Sequence, residues 1–372
     1  MNTNFLPFID PKRNYGLDIL RAVAILTVLM LHASPFIPEI FRPFYQWFLL
    51  DGVSIFFVLS GFLIGGILLR TLETKPATMV VLWHFWLMRW FRTVPPYFFA
   101  LFILIILVNP QNLLHMLWEW KRMFLFVQNF ASPPPPIYTE AWSLSVEEWF
   151  YLLLGSIVVA ITRISKRPKS ALLLTAIIFL VGSTSLRLNQ FLLFPPTDIT
   201  TWDENYRSIV VMRLDGLMYG VIGAYWMRYS SASWLSYSRQ KAVVGIALLF
   251  LCVMPYSSAS FGIFQSVFSF SLTGIGTLLL LPFTTQIKSG KGIAYKFFTY
   301  TSLISYSMYL LNGSIIISGI IWPMLAFIGP LPGWLNCLVG YSSCFVLTYF
   351  FGLMMYQTIE LGALKLRRRL VE

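Results

Sequence analysis

Long apolar runs separated by short polar breaks dominate this chain. A run of about 20 apolar residues is long enough to cross a bilayer as a helix. Ten such segments can be marked off, at 17–34, 47–69, 94–109, 142–162, 171–189, 208–227, 242–256, 262–284, 300–327 and 334–358. The stretch 79–93 is also apolar but carries His84, Arg89 and Arg92, and reads as an amphipathic lead-in to the third segment. The pattern predicts an all-α polytopic membrane protein with about ten transmembrane helices. The two longest breaks, 110–141 and 187–207, are too short for a separate folded domain, so residues 1–372 are expected to form one transmembrane domain with no appended extracytoplasmic domain. No internal repeat of the kind that marks many transporters is visible.

Composition strengthens this reading. The chain is 57% hydrophobic and 11% charged, with a mean hydropathy of +0.72, whereas soluble domains average about 25% charged residues. A net charge of +12 would suit a nucleic-acid partner if the basic residues formed a patch, but they lie in alternate short breaks between apolar runs. With the N-terminus inside, twenty Lys and Arg fall on the cytoplasmic side and five on the other, namely Arg42, Lys121, Arg122, Arg187 and Arg207. Loop lysines and arginines set orientation, so both termini are expected in the cytoplasm and no nucleic acid is implied. Cys252, Cys337 and Cys344 lie in apolar segments without metal-ligand spacing, and neither a metal site nor a structural disulfide is expected. The first 14 residues lack a cleavable signal pattern.

Ionisable residues inside a membrane are costly and usually face a protein interior or a water-filled path. The first segment carries three. At about 100° per residue, Arg21 and His32 fall about 20° apart around the helix, and Asp18 lies within about 40° of His32. One stripe therefore holds every ionisable group of this segment, either as buried helix-to-helix glue or as an active-site face. In the second segment Ser60, Gly61, Gly65 and Gly66 allow close helix packing or leave room for a thin ligand. Arg89 and Arg92 share a helix face, as snorkelling anchors or as a phosphate clamp. Ser145 and Glu148 fit a capping box that opens the fourth segment, whereas Glu147 enters a span with no evident partner. Arg213 and Asp215 are two apart, cannot face each other on one helix, and need partners elsewhere. The run Ser305-Tyr306-Ser307-Met308-Tyr309-Leu310-Leu311-Asn312 offers hydroxyls for interhelical hydrogen bonds.

Taken in order, these motifs resemble the bacterial integral-membrane acyltransferases of family three, which acylate cell-surface sugars. The resemblance runs over almost the whole chain. It rests on Arg21 and His32 with ten residues between them, Gly52 to Ile64, Arg89-x-x-Arg92-x-x-Pro95, Trp142 to Tyr151, Arg213-Leu214-Asp215 and Ser305 to Leu311. Ser54 stands where the family often has an acid, and Asn312 where it often has a histidine. The resemblance implies no permanently bound cofactor. It implies acyl-CoA, most often acetyl-CoA, as a co-substrate on the cytoplasmic side, and a saccharide hydroxyl as acceptor on the outer side of a bacterial inner membrane. A hydroxyl attacking a thioester needs a general base, and neutral histidine suits that task. On this reading His32 is the base, with Glu147 orienting His32 or the sugar. Arg21, Arg89 and Arg92 hold the donor, and Arg213, Asp215 and Glu148 are candidate saccharide contacts. The rival reading is a transporter or flippase of a lipid-linked sugar. A purely structural or sensory membrane protein would leave the Arg21–His32 stripe unexplained.

Overall fold

The computed structural model describes residues 9–10, 13–107, 120–253 and 262–370. Lys12, the last residues of the third and seventh expected segments (108–109 and 254–256), and part of the loop after 109 lie outside the described residues. No strand occurs among the described residues, and the fold is all-α. Ten principal helices are α1 (Tyr15–Ala33), α2 (Gly52–Thr74), α3 (Met79–Leu107), α4 (Trp142–Ser165), α5 (Pro168–Leu193), α6 (Leu214–Tyr229), α7 (Ser238–Leu251), α8 (Ser269–Thr284), α9 (Gly292–Leu311) and α10 (Gly333–Met355). Eight helical stretches among the described residues are long and apolar enough to cross a membrane. The other two expected segments, 208–227 and 242–256, overlap α6 and α7, which at 16 and 14 residues are shorter than that.

Among the boundaries that differ from the sequence reading, three bear on the site. The stretch 79–93 is not a separate lead-in, because α3 runs without a break through Pro95 and Pro96. The missing amides of these prolines free the carbonyls four residues earlier, of Phe91 and Arg92, and Tyr306 Oη donates to the adjacent Thr93 carbonyl at 2.7 Å. The second helix begins at Gly52 rather than 47, because Asp51 caps it by accepting from the Ser54 amide at 3.2 Å. The apolar residues before that cap form short turns with Phe41, Phe44, Trp47 and Phe48 exposed, an aromatic collar of the kind found at membrane interfaces. The ninth helix begins at Gly292 rather than 300 and continues through a π-wound stretch, Asn312–Ile321, to Ile328. The hydroxyl run therefore lies in mid-helix, not at its start.

Helix α2 is the axis of the bundle, and its tightest neighbour is α6. Glycines on both helices make this possible. A Cβ on Gly61 would sit 1.8 Å from the Leu217 carbonyl oxygen, and one on Gly220 would sit 1.9 Å from that of Val58. Gly220→Val is expected to lower stability by at least about 1–3 kcal/mol through overpacking. The readout is the thermal midpoint in detergent, and Gly66→Ala, where the nearest atom is 3.7 Å away, should leave it unchanged. Equal midpoints for both variants would contradict this packing.

Candidate functional site

Polar side chains from five helices converge on a cavity with about 830 Å³ of empty space. On α4, Ser143, Glu147 and Tyr151 are spaced by four and fall on one face, and all three line it. Helix α3 contributes Arg89, Arg92 and Thr93, α9 contributes Ser305, Tyr306 and Tyr309, α2 contributes Ser60, and α1 contributes Arg21. Glu147 is held in place, accepting from Tyr151 Oη at 2.7 Å and from Ser60 Oγ at 3.1 Å. Arg21, Arg89 and Arg92 differ from it: none makes a side-chain hydrogen bond or an ion pair among the described residues, and Arg89 Nε is buried without a partner. The cavity thus presents three cations against one lining carboxylate.

The far end of the cavity is closed by hydroxyls. Ser143 Oγ and Tyr309 Oη lie 2.7 Å apart, and Tyr309 donates to the Glu140 carbonyl at 2.9 Å. Glu140 is itself buried, its carboxylate accepting from the Ser314 amide at 2.7 Å and from Ser314 Oγ at 2.6 Å. His32 does not line the cavity. It stands beside this end, its Nδ1 2.6 Å from Asn312 Oδ1, and Asn312 follows Tyr309 by about one helical turn. Arg21 and His32 are eleven residues apart on the continuous helix α1, roughly 16 Å along its axis.

Several site expectations need correction. Glu147 does not touch His32; its carboxylate is engaged by Ser60 and Tyr151, and the ring partner of His32 is Asn312. Asp18 does not join the stripe as a free acid, because Arg13 pairs with it (Nε to Oδ2 3.0 Å) and Ser302 Oγ donates to it at 2.7 Å. The capping box is absent. Helix α4 already starts at Trp142, so Ser145 is inside it and accepts from Gln128 Nε2 at 2.6 Å. Glu148 instead points into the protein, 3% exposed, where Thr93 Oγ1 donates to it at 2.6 Å.

Asp215 is not open to a saccharide. Both of its carboxylate oxygens are held by Arg187, at 3.0 and 2.6 Å, with Arg187 fully buried. Arg187 therefore belongs within α5 and not to the outer loop. Arg213 donates to Ser54 Oγ at 2.6 Å and lies against the Phe270 ring, 4.0 Å from its centroid. Its Nε and Nη1 are buried without a hydrogen-bond partner among the described residues. Ser54 in turn donates to Asp51 Oδ2 at 2.5 Å, and Asp51 lies 3.9 Å from Arg213 and 3.8 Å from Arg207. An acid is thus present near Ser54 after all, one turn earlier at the cap of α2.

Sequence reasoning missed Asp51, Glu140 and Glu360. Glu360 is buried in the π-wound stretch after α10 and accepts from Ser307 Oγ at 3.0 Å. Each is an acid within or next to an apolar run, a signal that could have found them. The glycines and the hydroxyl run behave as expected: Ser307, Tyr306 and Tyr309 all make interhelical hydrogen bonds.

Comparison with known proteins places this geometry in context. A family model described as an acyltransferase domain matches residues 14–357. The chain is 29% identical over 203 residues to a peptidoglycan O-acetyltransferase, OatA, of Listeria monocytogenes, an alignment covering 49% of this chain and 30% of that protein. It is 30% identical over 172 residues to a putative O-acetyltransferase of Staphylococcus aureus, covering 41% of this chain and 26% of the relative. The O-acetyltransferase OatA of Staphylococcus aureus is 28% identical over 169 residues, covering 40% and 25% respectively. The alignments thus span under a third of the length of these curated relatives. No solved structure matches the chain.

Proposed function

Since the chain belongs to the acyltransferase-domain family, we propose that it moves an acyl group, most often acetyl, from acyl-CoA to a hydroxyl of a cell-surface or lipid-linked saccharide. The observation that carries this reading is the set of three arginines, Arg21, Arg89 and Arg92, facing one cavity without an ion pair among the described residues. Unpaired cations in a protein interior are costly, and an anionic ligand would offset that cost. Arginine suits phosphate geometry, and CoA carries several phosphate groups on one end and a thioester on the other. The nucleotide end would lie among Arg89 and Arg92, with Arg21 along the pantetheine arm. The thioester would then reach the hydroxyl-lined end near His32.

At that end His32 would take the proton from the acceptor hydroxyl as its oxygen attacks the thioester carbon. Collapse of the intermediate would form the ester and release the CoA thiolate, which is protonated in turn. Glu147, the lining carboxylate, would offset part of the positive charge while the cavity is empty. The basic loops favour the Arg13 end on the cytoplasmic side, which would bring donor and acceptor from opposite faces of a bacterial inner membrane. The names of the relatives support an O-acetylated saccharide as product.

The test is donor affinity. Arg89→Gln and Arg92→Gln should each weaken equilibrium binding of CoA by about 10- to 100-fold, the equivalent of a charged hydrogen bond of about 1.5–3 kcal/mol. Arg228→Gln, which breaks an ion pair with Glu73 away from the cavity, should bind CoA as the wild type does. Wild-type affinity in both cavity variants would remove the donor from this site.

A further inference from the structure

Asn312 sits where the site needs a decision about protons. Its carbonyl oxygen lies 2.6 Å from His32 Nδ1, and its amide nitrogen contacts Thr348 Oγ1 at 2.9 Å and Cys344 Sγ at 3.3 Å. The residue is fully buried. It opens the π-wound stretch after α9, a distortion frequent at functional sites. We propose that Asn312 is a positioning residue that fixes the His32 ring with its proton on Nδ1 and leaves Nε2 as the base. The inference rests on His32 being the general base.

The argument is one of donors and acceptors. An amide has two N–H donors and one acceptor oxygen. With its nitrogen turned to Thr348 and Cys344, Asn312 has only the oxygen left for His32, and an oxygen can only accept. The ring nitrogen facing it must then carry the proton, because the hydrogen bond made by one imidazole nitrogen decides the state of the other. Neutral imidazole has one proton, so Nε2 keeps its lone pair. No hydrogen bond to Nε2 occurs among the described residues. The contact also survives turnover, since Nδ1–H donates to the same oxygen in both the neutral and the protonated ring. A neutral amide can therefore orient the base through a full proton cycle without changing its own charge. The titratable groups around this pair include Cys344 on α10, Tyr309 and the Glu140 carboxylate, which Ser314 holds two residues beyond Asn312, and the Tyr45–Tyr341 hydroxyl pair, 3.2 Å apart, whose Tyr45 donates to the Met30 carbonyl. No acidic side chain is ion-paired with His32 among the described residues.

The chain has three histidines, so nitrogen-15 histidine labelling of the full-length protein in nanodiscs gives a readable spectrum, with His32→Ala identifying the His32 signals. The wild type should show His32 with a protonated Nδ1 and a bare Nε2. Asn312→Leu should lose that pattern. With acetyl-CoA and a surface-glycan extract, its kcat should fall at least tenfold and towards the loss of about 10⁴ that a wrong tautomer causes in a serine-protease triad, while KM for acetyl-CoA stays near wild type. Asn312→Asp keeps an accepting oxygen, so it should keep the Nδ1 proton and restore turnover with the acid limb of the pH profile moved upward. Thr348→Val leaves Asn312 in place but frees its amide to rotate, and should give a milder loss even if the leucine variant does not fold. A wild-type His32 protonated on Nε2, or wild-type kcat in Asn312→Leu, overturns the role of Asn312 and leaves the base reading intact. Wild-type turnover in His32→Ala overturns the base reading, and with it any catalytic use of Asn312.

Discussion

Replacing His32 with alanine is expected to reduce acyl transfer by about 10²–10⁴-fold, the usual contribution of a positioned general base, with the protein still folded and inserted. The side chain is partly exposed at the end of α1 and makes a single hydrogen bond among the described residues, to Asn312, so its loss removes little packing. CoA binding should also persist, because the arginines proposed to hold the donor line the cavity and His32 does not. The checks are product formation, CoA affinity and thermal midpoint measured on one preparation. A fall in all three would describe a misfolded protein and not a missing base.

The second large effect concerns stability. Arg187→Met should destabilise the fold by about 3–5 kcal/mol, because it strands the Asp215 carboxylate in a site that is 1% exposed. Arg187 also donates to the Met212 and Val267 carbonyls, so it ties α5 to the segments that lead into α6 and α8. The double variant Arg187→Met with Asp215→Leu removes the stranded charge and should recover much of the loss, since replacing a whole buried pair by apolar residues is often neutral or better. Thermal midpoints of the two single variants and the double variant check this. A double variant no more stable than Arg187→Met would show that the backbone contacts dominate and not the ion pair.

The helices were legible where the decisive property is local. An apolar run of about 20 residues is a matter of composition, so α1, α4, α5 and α10 fall close to where the pattern puts them. Boundaries failed where a cap or a neighbour overrode composition. The aromatic residues before Asp51 look like span but are cut off by its capping carboxylate, and the stretch 79–93 looks like a lead-in but is continuous with the rest of α3. The site follows the same division. Arg21 and His32 share a helix, so their alignment follows from helical geometry, and Arg89 and Arg92 likewise. Asn312 is 280 positions from His32, and no periodicity links them. Asp18 was misread because its partner, Arg13, precedes the helix. Asp215 was misread because Arg187 was counted with the outer-side cations although it lies within α5. Glu148 matched a capping box whose spacing is correct but whose helix begins three residues earlier, at Trp142.

The most direct test of the acyltransferase reading uses wild-type protein in sealed vesicles, with radiolabelled acetyl-CoA on the face that carries the Arg13 end and a surface-glycan extract on the other. The account predicts stoichiometric release of free CoA and label ester-linked to saccharide, both lost in His32→Ala. Saccharide crossing the membrane unlabelled, with acetyl-CoA intact, would contradict it and identify a transporter.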